Sequence, residues 1–322
     1  MSSERSAASL LAIEGVTVLV ALALLLTFSS IFAPSFLTVE NLTNVMVQSV
    51  FVLLLGIGMT YVLISGGIDL SVGSTMGVSA AICVFLLNAG VALPFAILAG
   101  LLTGAIVGLI NSYFIVVLGF ADFIATLGTL SLMRGVVEVM TTNSRLNSQD
   151  PGFMALSGSS VVGIPVAVII AVLVAIVAGV VLARTTIGRA VYGVGLNRRS
   201  SFLAGVLVNQ VRFSVYIVSG MCAALSGILL ASRLSSVHPA MGTGYELTAI
   251  AAAALGGTSL SGGRGSVLGT ALGALFLAVL QNTLSLMAVN TFWFQIITGV
   301  IIVLAVLLDG SLRRLLKSRS LS

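Results

Sequence analysis

Asp69 stands in Ile64-Ser65-Gly66-Gly67-Ile68-Asp69-Leu70-Ser71, between two apolar runs. A carboxylate at that depth is costly unless it faces a cavity, a partner or a helix end. It reads in two ways: as a pore or gate residue beside an unwound segment, or as an N-cap taking backbone N–H bonds at the start of the next helix. Arg134 and Glu138 are four residues apart, hence on one helical face, where they can pair and lower the cost of burial. That pair is expected to be an intrahelical clamp near an interface, or a contact for a polar solute. His238, the single histidine, sits in Ser235-Ser236-Val237-His238-Pro239 and reads as a solvated loop residue. No second His, Cys cluster or carboxylate pair has metal-ligand spacing. Cys83 and Cys222 lie inside apolar runs, as small buried hydrophobes do. No G-x-x-x-x-G-K-[ST] stretch occurs; Gly262-Gly263-Arg264-Gly265-Ser266 lacks the lysine and a preceding strand. A serine nucleophile would need a His or Lys at depth, and the chain supplies neither there.

The elements that must hold these groups follow from composition. Only 9 acids and 14 bases serve 322 residues, 7% charged and 58% apolar, with mean hydropathy +1.22. Soluble domains carry roughly 25% charge. The chain therefore reads as an integral membrane protein, which excludes a secreted disulfide scaffold, a nucleic-acid binder and an ordinary soluble enzyme. Roughly 20 apolar residues cross a ~30 Å hydrocarbon layer. That ruler marks ten candidate spans: 13–33, 42–64, 72–89, 92–117, 122–142, 164–183, 211–231, 247–262, 266–288 and 291–309. The third and eighth are short and glycine-rich and read as broken or tilted helices, giving a range of eight to ten. No A-x-A cleavage pattern precedes Pro34, so the first run is expected to be an uncleaved span.

The segment 184–212 holds Arg184, Arg189, Arg198, Arg199 and Arg212, and the tail adds Arg313, Arg314, Lys317 and Arg319. By the positive-inside rule both are expected in the cytoplasm, and ten spans with cytoplasmic N and C termini satisfy every loop. Arg145 and Arg233 then lie outside, with Trp293 and Tyr245 near the outer boundary and Tyr61 and Tyr113 near the inner one. The expected organisation is an all-α polytopic membrane protein of about 10 transmembrane helices. It has a short tail at 1–12, one transmembrane domain at 13–310 with a cytoplasmic loop at 184–210, and a basic tail at 311–322.

Glycine occurs 35 times, and Gly100, Gly104 and Gly108 form a stripe expected to pack against another helix. Gly66-Gly67-Ile68-Asp69-Leu70-Ser71-Val72-Gly73 matches Gly256-Gly257-Thr258-Ser259-Leu260-Ser261-Gly262-Gly263 at five of eight positions. The match reads either as a remnant of duplication, common in transporters, or as two converged turns.

Tyr61 to Ser74, YVLISGGIDLSVGS, resembles the signature of sugar-type ABC importer permeases, the ribose/xylose/arabinose/galactoside group. Phe123 to Leu130 with Arg134-Gly135, the loop Thr186 to Val206, and residues 231–283 are similar to further blocks of that family, in order. The resemblance implies two permease subunits, identical or not, forming a path for a monosaccharide. It also implies a cytoplasmic ATPase, often with two fused nucleotide-binding cassettes, and an extracytoplasmic sugar-binding protein. ATP and Mg would sit on that ATPase, with no cofactor or metal in this chain. It implies further that Gly188, Arg189 and Tyr192 to Val206 form a coupling segment docking on the ATPase. Asn197 is expected to N-cap its helix and Gly205 to end it. The family commonly has Asn, an acid and two alanines where this chain has Asn197-Arg198-Arg199-Ser200, which bears on which ATPase it accepts. Arg198 and Arg199 could instead only mark topology at anionic lipid. Asp69, Ser71, Arg134, Glu138, Glu246 and Asn282 are the candidate residues of the path or its gates. An ion-coupled secondary transporter is the rival reading; it would need several intramembrane acids, and the chain offers mainly Asp69 and Glu138.

Overall fold

A computed structural model describes residues 18–304 apart from 143 and 291. The expected tails, the start of the first span and the end of the last lie outside the described residues. Thirteen α-helices run in chain order: α1 (Val18–Phe32), α2 (Val39–Ile64), α3 (Val72–Asn88), α4 (Leu93–Ser112), α5 (Asp122–Thr141), α6 (Pro151–Gly158), α7 (Val166–Arg184), α8 (Thr186–Leu196), α9 (Arg198–Leu203), α10 (Val208–Leu234), α11 (Tyr245–Leu255), α12 (Val267–Leu286) and α13 (Phe292–Leu304). A π-helical turn, Tyr113–Val117, extends α4. Among the described residues, six helices are long and apolar enough to cross a membrane: α2, α4 with its extension, α5, α7, α10 and α12. The remaining apolar helices, α1, α3, α11 and α13, are shorter. Every expected span thus falls on a helix, but not at full length. The eighth covers only Tyr245–Leu255, 11 residues or about 16 Å of rise, half a hydrocarbon layer. Its second half is a glycine turn, as a broken, glycine-rich span would have.

α2, α3 and α10 form the interior, with α3 buried along nearly its whole length. The glycine stripe explains how α4 reaches this centre. A Cβ at Gly104 would strike the Gly220 carbonyl and Ala224, and one at Gly108 would strike the Tyr216 carbonyl. Backbones in contact gain dispersion along their length, which is what drives helix association where lipid is as apolar as the side chains. The opposite faces of α4, α5 and α7 stay largely exposed and apolar, as lipid-facing surfaces do.

The polar segment 144–163 around Arg145, which the expected topology places outside, is more ordered than its polarity suggests. Asp150 caps α6 by accepting the Phe153 N–H, and Pro151 sits at the first helical position. Two antiparallel two-residue ladders flank it: Leu146–Asn147 with Ser236–Val237, and Ser160–Val161 with Ile164–Pro165.

α2 and α11 end alike. Gly66 N–H bonds Leu63 O and Gly67 N–H bonds Val62 O; Gly257 N–H bonds Ala254 O and Thr258 N–H bonds Ala253 O. Both are Schellman closures, with Gly66 and Gly257 at φ +77° and +83°. The structural equivalence therefore pairs Gly66 with Gly257, one residue out of step with the sequence match, which paired it with Gly256.

Candidate functional site

The basic loop folds into two short helices. Thr185 caps α8, taking the Gly188 N–H, and Asn197 caps α9, taking the Ser200 N–H at 3.0 Å. α9 stops at Leu203, and Gly205 follows at φ +83° with its N–H on Phe202 O. Gly188 packs against the Leu182 backbone, where a Cβ would not fit, while Arg189 and Arg199 are exposed. Tyr192 Oη donates to the Gly265 carbonyl at 2.7 Å, and burial raises its phenol above the ordinary value. Arg198 Nη2 donates to the Gly66 carbonyl at 3.1 Å. Gly195 lies against the Ile64 carbonyl and the Gly263 nitrogen. The end of α8 is thus wedged against both glycine segments that the sequence matched to each other.

Behind that wedge lies a polar knot. Asp69, 1% exposed, accepts through Oδ1 from the Ser71 N–H (3.0 Å) and Ser71 Oγ (2.6 Å), and through Oδ2 from Ser219 Oγ (2.8 Å). Asn111 Nδ2 donates to Ser71 Oγ at 2.8 Å. Asp69 therefore ties the 65–71 turn to α10 and, through Ser71, to α4, and takes the backbone N–H of the residue just before α3. Ser71 itself is the α3 N-cap residue and makes no side-chain cap bond. Next to it, Arg212 Nη2 pairs with Asp122 Oδ1 at 2.8 Å, and Tyr216 Oη donates to Asp122 Oδ2 at 2.8 Å with the Ile68 carbonyl 3.4 Å away. This ion pair joins the first turn of α5 to the first turn and a half of α10, directly after α9. Sequence reading assigned Arg212 to the basic loop and passed over Asp122. Their separation by 90 residues leaves no spacing signal.

The opposite end is built differently. Arg134 and Glu138 form no ion pair: Arg134 Nη1 donates to the Met241 carbonyl at 2.9 Å, and Glu138 is exposed. The expected clamp gives way to a tie between α5 and the loop before α11, because an outer carbonyl lies within reach of the guanidinium. Glu246 Oε1 accepts the Gly244 N–H at 3.2 Å, and its Oε2 is buried against Gly73 without a hydrogen-bond partner. His238 is half-buried rather than solvated; burial, then Arg145 and Arg134, lower its pKa and favour the neutral ring. Asn282 lies near the end of α12, against the first turn of α2. It forms a reciprocal amide pair with Asn41, at 3.0 and 2.8 Å, that locks α12 to α2. Among the described residues, no three His, Cys, Asp or Glu are grouped to hold a metal ion.

A bundle of apolar helices, six of them long enough to cross a bilayer among the described residues, is the build of a membrane-embedded protein. Residues 41–306 match the family described as branched-chain amino acid transport system / permease component, and the chain belongs to it. It is 39% identical over 296 residues to the ribose import permease protein RbsC of Escherichia coli strain K12, covering 91% of this chain and 92% of that one. It is 35% identical over 284 residues to the D-allose transport system permease protein AlsC of the same strain, covering 88% and 87%. With the autoinducer 2 import system permease protein LsrC of Salmonella paratyphi B it shares 36% over 297 residues, covering 92% and 86%. No solved structure matches the chain.

Proposed function

We propose that the chain is the permease subunit of an ATP-driven importer in a bacterial inner membrane, forming the path for a monosaccharide or a close relative. Its relatives' names, ribose, D-allose and autoinducer 2, favour a small polyhydroxylated solute. In this reading a second permease subunit completes the path. A separate cytoplasmic ATPase, with two fused cassettes, carries ATP and Mg, and an extracytoplasmic binding protein delivers the solute. All ten apolar helices cross or enter the membrane, with both termini and the 184–210 loop in the cytoplasm.

The observation that carries the mechanism is the wedge of α8 between the two glycine turns. Closure of the ATPase moves α8 and α9. Tyr192 and Arg198 hold those helices to Gly265 and Gly66, so the movement is passed to the ends of α2 and to the α11–α12 turn. The Asp122–Arg212–Tyr216 group holds α5 and α10 together in the present conformation and must yield when the inner end opens. The test is reconstitution in proteoliposomes with a partner ATPase and sugar-binding protein, and uptake of labelled ribose and allose. Uptake that needs ATP and survives ionophores supports the reading; uptake driven by an ion gradient without the ATPase refutes it.

A further inference from the structure

A groove of about 560 Å³ opens on the outer surface of the bundle between α2, α7, α8 and α10. Leu173, Val177 and Val181 form one wall and Val218, Cys222 and Leu225 the other. Tyr61 crosses its floor, but its hydroxyl is spent on the Ala178 carbonyl at 2.6 Å, so the trough is left apolar. On α10 the lining runs from Ser214 to Leu225, about 16 Å of helix rise. That is close to one leaflet, roughly half of a ~30 Å hydrocarbon layer. Ile187 and Val191 of α8 close the trough at the end where the basic loop begins. Arg184 lies there, three residues past Val181 on the same face of α7, exposed. Among the described residues it has no carboxylate partner.

We propose that this groove holds an acyl chain of one anionic phospholipid, with the headgroup phosphate on Arg184. Trough length, apolar walls and a free guanidinium at the open end match the two halves of such a lipid. Leu173 and Val177 are 57% and 63% exposed, so the chain enters sideways from the bilayer without any helix moving. The lipid would brace α7, and with it the root of α8, against α10. The inference rests on the membrane embedding of these helices and not on the identity of the solute.

Native mass spectrometry of the full-length chain, purified in a mild detergent and titrated with phosphatidylglycerol or phosphatidylcholine, tests it. One phosphatidylglycerol should be retained about fivefold more strongly than phosphatidylcholine, the scale of one basic residue at a membrane surface. Arg184→Gln should remove that preference while leaving weak retention of both lipids. Val177→Trp, which fills the trough, should lower retention of both. Equal retention of the two lipids by the unaltered chain, or a preference untouched by Arg184→Gln, would overturn the proposal. So would efficient cross-linking of a Val177→Cys chain to a second copy, since a partner subunit would then cover the groove. The Arg184→Gln arm changes an exposed side chain and remains decisive if the tryptophan variant does not fold.

Discussion

The Gly263 N–H donates to the Ile64 carbonyl at 2.8 Å, joining the loop after α11 to the last residue of α2. Ile64 O would otherwise be an orphan at a helix C-terminus, and Gly195 of α8 rests on the same carbonyl. Three segments distant in sequence therefore meet at one peptide group. The end of α8 touches both glycine turns at a single carbonyl.

Gly195→Ala tests that junction. The new methyl would meet the Ile64 carbonyl and lie 2.7 Å from the Gly263 nitrogen, both backbone atoms with nowhere to rotate. Overpacking of this kind costs about 1–3 kcal/mol. The expected outcome is normal membrane insertion, with solute-stimulated ATP hydrolysis in the assembled complex lowered by about tenfold or more. Hydrolysis at the unaltered rate would separate α8 from the transmission of movement.

The Asp122–Arg212 pair is mostly desolvated, at 18% and 10% side-chain exposure. Arg212→Ala strands the carboxylate, and breaking a buried pair from one side costs about 3 kcal/mol or more. Asp122→Asn with Arg212→Gln should recover much of that loss, since two neutral amides can still bond. A thermal melt of the purified single and double variants reads the coupling directly. Additive losses would mean that the pair is not a unit.

Asn282 was a candidate path residue, and its place against Asn41 predicts the opposite behaviour from a path residue. Asn282→Ala removes two interhelical hydrogen bonds and leaves the Asn41 amide half satisfied, a loss of about 1–2 kcal/mol. Melting temperature should fall, while uptake per correctly inserted molecule and the ranking among sugars should stay unchanged. A changed sugar preference would return Asn282 to the path.

Hydropathy alone located every apolar helix, because burying a span in lipid needs only a long run of apolar side chains. It set the end of the eighth run too far along, because Ala249 to Leu255 leads without a polarity break into Gly256 and Gly257, although those glycines already marked the run as a candidate broken helix. Local chemistry was equally legible where its partners are near in sequence: Asn197 and Gly205 begin and end α9 as capping rules require. What could not be read is every contact made across the bundle. Arg134 and Glu138 have ideal spacing, yet Arg134 binds the Met241 carbonyl 107 residues away. The Asp122–Arg212 pair, the Ser219 bond to Asp69 and the wedge at Gly195 depend on which helices become neighbours. That choice is made by small residues such as Gly104 and Gly220, whose partners no periodicity names.

Asp69 offers the sharpest division between holding and gating. Three donors converge on its two oxygens, Ser71 on Oδ1 and Ser219 on Oδ2, and the side chain is 1% exposed. In Asp69→Asn the carbonyl oxygen can keep both Ser71 donors. The new NH₂ faces Ser219 Oγ, which can rotate to accept. In Asp69→Ala all three donors lose their acceptor, and each buried donor left unpaired costs about 1–3 kcal/mol. If Asp69 is a brace, the amide variant should insert and import solute at no less than roughly a third of the unaltered rate, and the alanine variant should be lost from the membrane. If its charge works the gate, the amide variant should insert normally and still fail to transport. Immunoblots of membranes beside uptake measured on the same cells distinguish the two.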